Sequence, residues 1–330
     1  MARKTLAEAL NDALREEMAR DERVIVLGED VGKRGGVFNI TKGLYQEFGR
    51  SRVFDTPLAE SGIVGVAIGL SVVGFRPVAE IQFAAFVYPA MDQIINEAAK
   101  MRYRSAGDFG CPIVIRIPYG GGTGGALYHS QSVEAFFCHV PGLKVVAPAT
   151  PYDAKGLLKA AIRDEDPVIF LEHKKTYFMP RLINSEVPAG DYTVPIGKAD
   201  VKRPGDDLTV LTYGMMLHET LKAAEEVSRE GIEAEIVDLR TLFPPDRPTI
   251  LDSVKKTGKV LIVHEDTKTG GLGGELAAIV AEDAFEYLDG PIMRVAGPDV
   301  PAMPYNQGME GFFMPDARKI AGAIRELAAY

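Results

Sequence analysis

The chain has 330 residues, 46% of them hydrophobic and 25% charged, with a formal net charge of −9. That balance suits a soluble globular protein of about two domains. It argues against a nucleic-acid partner, since no basic stretch with interleaved aromatics offsets the acidity, and charges interrupt every apolar run short of the ~18 residues a membrane span needs.

Met1-Ala2-Arg3-Lys4-Thr5 lacks an apolar h-region and a cleavage site, which leaves a cytoplasmic setting, or the mitochondrial matrix for a processed chain. Thr5-Leu6-Ala7-Glu8 has the form of a capping box, and Leu6, Leu10, Leu14 and Met18 continue at helical spacing. Val24 to Leu27 reads as a buried strand ending in Gly28-Glu29-Asp30, so two carboxylates stand at the carboxyl end of a strand, where ligands of open α/β sheets gather.

In Asp55-Thr56-Pro57-Leu58-Ala59-Glu60-Ser61-Gly62-Ile63-Val64-Gly65, a lone carboxylate, Glu60, opens a small, otherwise uncharged helix. Gly62, Gly65, Gly69 and Gly74 leave room for another backbone or a ligand. A first-turn acid is also what the helix macrodipole favours on any helix, and this segment alone does not separate the two readings.

The pattern then alternates: strand Val78 to Phe83, helix from about Pro89 to Arg102, strands Ile113 to Ile117 and Leu143 to Val146, helix Asp153 to Arg163, strand Val168 to Leu171. This is a parallel, doubly wound arrangement. In the helix, Asp92 is either a solvated side chain or a group of the site. Pro118-Tyr119-Gly120-Gly121-Gly122-Thr123-Gly124-Gly125 lacks the Gly-Lys-Ser/Thr ending of a P-loop and reads as a flexible loop that brings Ala126-Leu127-Tyr128-His129-Ser130-Gln131-Ser132 to a ligand. His129 is the best acid–base candidate. His139, His173, His218 and His264 read as structural, and the histidines show no metal-ligand spacing. Cys111 and Cys138 read as buried thiols. Asp153, Asp164, Glu165 and Asp166 resemble a calcium loop only in charge, and an ion held partly by backbone carbonyls stays open.

From Lys174 to Asp207 the pattern lapses into Pro, Gly and scattered charges, a linker composition. A second α/β unit follows, with strands Leu208 to Tyr213, Ala234 to Val237, Val260 to Val263 and Ile292 to Val295. Its helices are Leu217 to Arg229, Pro248 to Lys256, Glu275 to Phe285 and Asp316 to Ala329. The expected division is 1–185, a linker 186–206, and 207–330.

Six stretches together resemble the beta subunit of the thiamine-diphosphate-dependent, decarboxylating component of 2-oxo acid dehydrogenases, over nearly the whole chain. They are Val26-Leu27-Gly28-Glu29-Asp30-Val31-Gly32, Asp55 to Glu60, Pro77-Val78-Ala79-Glu80-Ile81-Gln82-Phe83, Arg102-Tyr103-Arg104-Ser105, His129-Ser130-Gln131-Ser132 and Asp238-Leu239-Arg240-Thr241. Gly125 to Ser132 and Glu134-Ala135-Phe136-Phe137 are closer to branched-chain members than to pyruvate ones. The resemblance implies an N-terminal pyrimidine-binding domain of the thiamine-diphosphate fold, a doubly wound parallel sheet, followed by a smaller C-terminal α/β domain of the transketolase C-terminal type.

By the same resemblance Glu60 hydrogen-bonds the aminopyrimidine nitrogen N1′, where a carboxylate can share a proton and an amide cannot do so as well. His129 helps position the 2-oxo acid and serves acyl transfer to lipoamide, and Phe83 and Phe86 wall the cofactor pocket. Glu29 and Asp92 fall where related enzymes line an acidic channel between two active sites. A structural potassium ion falls on the carbonyls of Ile113, Ala161, Ile162 and Asp164 and on Asp166. Phe83-Ala84-Ala85-Phe86 departs from the common Phe-Ala-Asp-Tyr, losing a carboxylate and a phenol, which bears on substrate choice; Val133 replaces a frequent proline.

The sequence contains no Gly-Asp-Gly, the segment that in single-chain thiamine enzymes ligates the Mg2+ of the diphosphate. Magnesium demands near-octahedral oxygen ligation and keeps phosphate oxygens in its shell, so an alpha subunit is expected to hold metal and diphosphate in an α2β2 heterotetramer. The C-terminal domain then mediates subunit contacts and docks the lipoyl acyltransferase. The expected reaction is oxidative decarboxylation of a 2-oxo acid, branched-chain before pyruvate, with reductive acylation of lipoyl groups. The rival readings are an acyloin-cleaving or ketol-transferring thiamine enzyme subunit and a non-catalytic scaffold.

Overall fold

The structure, a computed structural model, describes residues 2–179, 182–183 and 185–330. Pro180, Arg181 and Asn184, within the stretch read as a linker, lie outside the described residues. The principal strands are β1 (Val24–Gly28), β2 (Val53–Asp55), β3 (Arg76–Glu80), β4 (Val114–Tyr119), β5 (Lys144–Val146), β6 (Val168–His173), β7 (Asp200–Arg203), β8 (Leu208–Thr212), β9 (Ala234–Asp238), β10 (Thr241–Phe243), β11 (Val260–Thr267) and β12 (Met293–Gly297). The helices that matter below are α1 (Leu6–Arg20), α2 (Glu60–Val72), α3 (Pro151–Arg163), α4 (Met215–Ser228), α5 (Arg247–Thr257), α6 (Leu272–Asp283), α7 (Gln307–Phe313) and α8 (Ala317–Ala328).

Strands covered on both faces are mostly apolar, and β1, β4, β6, β8 and β9 are buried at every position, the charged exceptions such as Arg116 and Glu172 being paired. Two sheets result. The first has the order β10-β5-β6-β4-β3-β1-β2 and is parallel except for β10; the second has the order β12-β11-β8-β9-β7 and is parallel except for β7. Strand β7 lies inside the stretch read as a linker. Strand β10 comes from the C-terminal half yet pairs with β5 of the first sheet, which stitches the two units together. One apolar core runs through both, joining Ile115, Ile117 and Leu171 to Leu211, Val237 and Ile262.

The capping box forms as read: Thr5 Oγ1 accepts the Glu8 amide at 3.2 Å and Glu8 Oε2 accepts the Thr5 amide at 2.8 Å. Two expected elements differ. The strand expected to reach Phe83 ends at Glu80, and the chain turns into short 3₁₀ segments, Ala84–Phe86 and Tyr88–Ala90. The helix expected from Pro89 to Arg102 is instead a π segment, Gln93–Ala98, followed by Met101–Arg104. A π turn differs from an α turn by less than one residue, so apolar spacing cannot separate them over so short a run, and such bulges recur near functional sites.

After β1 the chain goes to β2 on one side and then to β3 on the other, so the order reverses between β1 and β3. At this switch point a crevice opens outside the carboxyl ends of the strands. Gly28, at the end of β1, has φ +153°, and a Cβ there would stand 2.7 Å from the Glu80 carbonyl oxygen. Only glycine lets the two strand ends come this close.

Beneath the crevice, Arg116 is fully buried between Glu80 and Glu172. Its Nη1 donates to Glu80 at 2.6 Å, its Nε and Nη2 donate to Glu172 at 2.6 and 2.7 Å, and the Tyr177 hydroxyl adds a bond to Glu172 at 2.6 Å. Burial raises the Glu80 carboxyl above its ordinary range even though Arg116 opposes it. Replacing Arg116 with leucine leaves two buried carboxylates without their cation, and the expected loss is about 3–5 kcal/mol in urea-unfolding free energy, whereas a loss below about 1 kcal/mol would contradict the charge assignment.

Candidate active site

Four neighbouring strands deliver the groups singled out in the sequence. Beyond β2, Asp55 accepts the Gly32 amide at 2.6 Å and the Thr56 amide donates to the Gly28 carbonyl at 2.9 Å. This ties the segment leading to Glu60 onto the end of β1. Glu60 is the first residue of α2 and is half-buried. Glu29 follows β1, and its carboxyl is held above the ordinary range by burial first, then by the charges of Asp30 and Glu60. Glu29 and Glu60 thus share one electrostatic neighbourhood. The Thr56 hydroxyl is buried and has no hydrogen-bond partner among the described residues.

Beyond β3, Phe83 and Phe86 meet edge to face at 5.5 Å between ring centroids. The loop after β4 brings His129 against both, 4.5 Å from Phe83 and 5.5 Å from Phe86, each edge to face. His129 itself is exposed, so the ring is backed by aromatic edges and open in front. Tyr88 donates to the Gln131 side chain at 2.7 Å and extends the wall. Asp92 is exposed and accepts from Asn96 at 2.7 Å, and among the described residues no side-chain hydrogen bond joins it to this cluster.

Helix α2 has two faces. Ile63, Val64, Ala67, Ile68 and Ser71 are buried. The opposite face carries Gly62, Val66, Gly69 and Val73, with Leu58 before the helix; Leu58 is 72% exposed and Val73 70%. A helix apolar on both faces is one built to be covered on both.

The carbonyls proposed for a monovalent ion already have partners. The Ile113 oxygen accepts the Val168 amide, and the Ala161 oxygen accepts the Asp164 amide. Arg76 Nη1 donates to the oxygens of Ile162 and Asp164 at 3.1 and 2.9 Å. Lys144 holds both Asp164 carboxylate oxygens at 2.7 Å, and Arg102 holds Asp166 at 2.5 Å. Three cationic side chains therefore face Asp164, Glu165 and Asp166, and an added ion would share oxygens with Arg76.

Residues 2–179 match the family described as transketolase, pyrimidine binding domain, and residues 197–320 match transketolase, C-terminal domain. The 2-oxoisovalerate dehydrogenase subunit beta of Bacillus subtilis (strain 168) is 61% identical over 323 residues, 98% of each chain. The chain belongs to the beta subunits of the 2-oxo acid dehydrogenases. This is a thiamine-diphosphate-dependent family with a transketolase-like fold. Similar to this beta subunit are also the pyruvate dehydrogenase E1 component subunit beta of Bacillus subtilis (strain 168), 50% identical over all of both chains, and the 2-oxoisovalerate dehydrogenase subunit beta of Pseudomonas aeruginosa, 49% identical over 98% of this chain and 94% of the relative. The solved structure of a split-gene transketolase, described as an inactive beta4 tetramer, matches with a TM-score of 0.80 at 26% identity and 99% coverage of both chains.

The residues of this beta subunit fit the pyrimidine end of the cofactor: a carboxylate at the tip of a helix, an aromatic wall and an orphaned hydroxyl at Thr56. Among the described residues no three His, Cys, Asp or Glu side chains converge as metal ligands, and no helix is long and apolar enough to cross a membrane.

Behind the site, the seam between the two units holds charged groups that sequence reading passed over. His173 Nε2 lies 2.7 Å from Glu265, and the Tyr213 hydroxyl donates to Glu134 at 2.7 Å. His173, His218 and His264 are buried, in keeping with their structural reading. A signal for Glu265 did exist: His264-Glu265-Asp266 ends a buried strand as Glu29-Asp30 follows β1. Burial pushes Glu134 up to about 8, with Asp266 adding to it, and pushes Asp238 up to about 7 against the opposing charge of Lys202.

Between the ordinary carboxylate range and these raised values the folded beta subunit keeps protons that the unfolded chain has lost. Above 6.5, the ordinary histidine value, His218 and His264, which burial lowers, no longer work in the opposite direction. Stability therefore falls as pH rises from about 6.5 to 8, read as a falling urea midpoint, and Glu134→Gln flattens that slope. A midpoint that rises over this range in the parent protein would refute the assignment.

Proposed function

We propose that this beta subunit supplies the pyrimidine half of a thiamine-diphosphate site in an α2β2 heterotetramer that oxidatively decarboxylates a 2-oxo acid and passes the acyl group to a lipoyl acyltransferase. The observation that carries this is the position of Glu60: it opens a helix whose outer face is apolar and uncovered, at the same carboxyl edge of the sheet as an aromatic cluster that contains an imidazole. Glu60 would hold the aminopyrimidine at N1′, and Phe83 and Phe86 would wall it. Bound cofactor supplies the electron sink for release of carbon dioxide. His129, held from behind and open in front, would orient the 2-oxo acid and hold a proton during acyl transfer, while Glu29, raised by burial, would pass protons to and from Glu60. Asp92, exposed and bonded to Asn96, joins that path only if the partner chain closes over it.

The diphosphate and its Mg2+ belong to the alpha subunit in this reading, because the chain has no Gly-Asp-Gly. The inactive beta4 state of the split-gene transketolase agrees with a half that cannot work alone. Ala85 and Phe86 stand where the common Phe-Ala-Asp-Tyr has a carboxylate and a phenol, a more apolar pair that favours a branched substrate, and the higher identity to the 2-oxoisovalerate enzyme points the same way.

The test is co-expression with the partner chain and assay of lipoyl-dependent decarboxylation. The complex turns over 2-oxoisovalerate with a higher kcat/KM than pyruvate, the isolated chain turns over neither, and Glu60→Gln in the complex lowers kcat by about a hundred- to ten-thousand-fold. Full activity of the isolated chain, or of Glu60→Gln, would sink the proposal; decarboxylation that never acylates a lipoyl domain would favour the acyloin or ketol chemistry. The structural potassium ion is part of the same proposal, on the oxygens of Ile113, Ala161, Ile162, Asp164 and Asp166. Exchanging potassium for choline chloride then lowers the melting temperature, and an unchanged value assigns the charge balance there to Arg76, Arg102 and Lys144 alone.

A further inference from the structure

The glycine-rich loop after β4 is lodged in the C-terminal unit. The Gly121 amide donates to Glu265 Oε1 at 2.5 Å. Those of Gly122 and Gly124 donate to Glu310 Oε1 at 2.9 and 3.2 Å, and Gly124 also lies 3.3 Å from Oε2. Glu265 stands on β11 and Glu310 on α7, and both are buried. Lys174 Nζ donates to the Gly120 carbonyl at 2.5 Å from the N-terminal side. The fit leaves no slack at Gly120: its φ is +87°, and a Cβ there would stand 2.2 Å from His173 Nε2.

The far end of the same loop is His129. The Gly120 amide donates to the Gln131 carbonyl at 3.0 Å, which closes residues 120–131 into one loop with its ends joined. Of its front half, three amides end on two carboxylates contributed 144 to 188 residues later in the chain. Glycine is the least ordered of residues when nothing holds it, and a charged acceptor makes a stronger bond to an amide than a neutral one. Without those carboxylates the glycine half of the loop would lose its anchor, and His129 would be placed only by its packing on Phe83 and Phe86 and by the closure between Gly120 and Gln131.

We infer that Glu265 and Glu310 are positioning residues, which reach across the seam to hold the glycine-rich loop and so set where His129 stands. The inference rests on the reading of His129 as a group of the active site. It also makes α7 an element through which the C-terminal unit controls that site, without touching substrate.

The test compares Glu310→Ala and Glu310→Gln with the parent in the full chain assembled with its partner. Glutamine keeps one acceptor oxygen for the amides and alanine keeps none. In Glu310→Ala, hydrogen exchange of the peptide covering residues 120–130 quickens by about tenfold, the worth of one charge-assisted hydrogen bond, and in Glu310→Gln by less. Exchange elsewhere and cofactor affinity stay at parent values, while KM for 2-oxoisovalerate rises more than kcat falls. Unchanged exchange in that peptide, or faster exchange spread evenly over the chain, would overturn the inference. Should the alanine variant fail to assemble, the glutamine variant decides alone, since parent-like exchange and KM in it would be equally fatal. His129→Ala in the same assembly tests the underlying reading separately, because exchange is measured without substrate and stands whatever that variant's turnover.

Discussion

The half-site exists because parallel strands all end on the same side. A carboxylate after β1, another beyond β2, two phenylalanines beyond β3 and an imidazole beyond β4 lie far apart in sequence, yet the order β4-β3-β1-β2 places their strand ends side by side. The reversal between β1 and β3 keeps the connecting segments from covering that edge, so the crevice stays open. The close approach of Gly28 to the Glu80 carbonyl holds the ends of β1 and β3 together there. A side chain at Gly28 would part β1 from β3 and move Glu29 away from the wall that Phe83 begins.

Charge is buried under this surface. Arg116 binds Glu80 and Glu172 where an apolar core would be the cheaper filling. The cluster locks β3, β4 and β6 in register immediately below the segments that carry Phe83 and the glycine-rich loop. The seam between the units repeats the device with His173 and Glu265, and with Lys202 between Asp153 and Asp200. Apolar contacts would let the two units slide over one another, whereas hydrogen-bonded charges tolerate one alignment. At a surface whose groups come from both sides of a seam, alignment matters more than the last increment of stability.

Much of this was legible in the sequence, and what was not has a physical reason. Buried parallel strands announce themselves as unbroken apolar runs, so Val24 to Leu27 and Leu208 to Tyr213 read correctly within a residue or two. The lone acid before a glycine-spaced helix was visible, as was the cluster around His129, because each is a local departure from ordinary composition. The turn at Glu80 and the π segment at Gln93–Ala98 were not, since they answer to packing against α2: a Cβ on Gly65 would meet the Gln93 side chain at 3.4 Å. The acids near the end of the buried strand β11 marked Glu265 without saying what it would bind, and Glu310 escaped because nothing local distinguishes a carboxylate that will cap distant amides from one that faces water. Only the docking of two units separates them.

Helix α2 shows why one chain carries only half the chemistry. A helix in a complete globular protein has one wet face, but α2 turns Gly62, Val66, Gly69 and Val73 outward from a first residue, Glu60, that is a carboxylate. Covering that face removes water from around Glu60 at the same time as it seats a second chain, so assembly and the electrostatics of proton sharing are one event. The unassembled chain leaves Glu60 half-exposed in a high dielectric, where the hydrogen bond proposed for it to a ring nitrogen would gain little over water. A catalyst divided in this way is silent until its partner arrives, and the open helix face follows from that division.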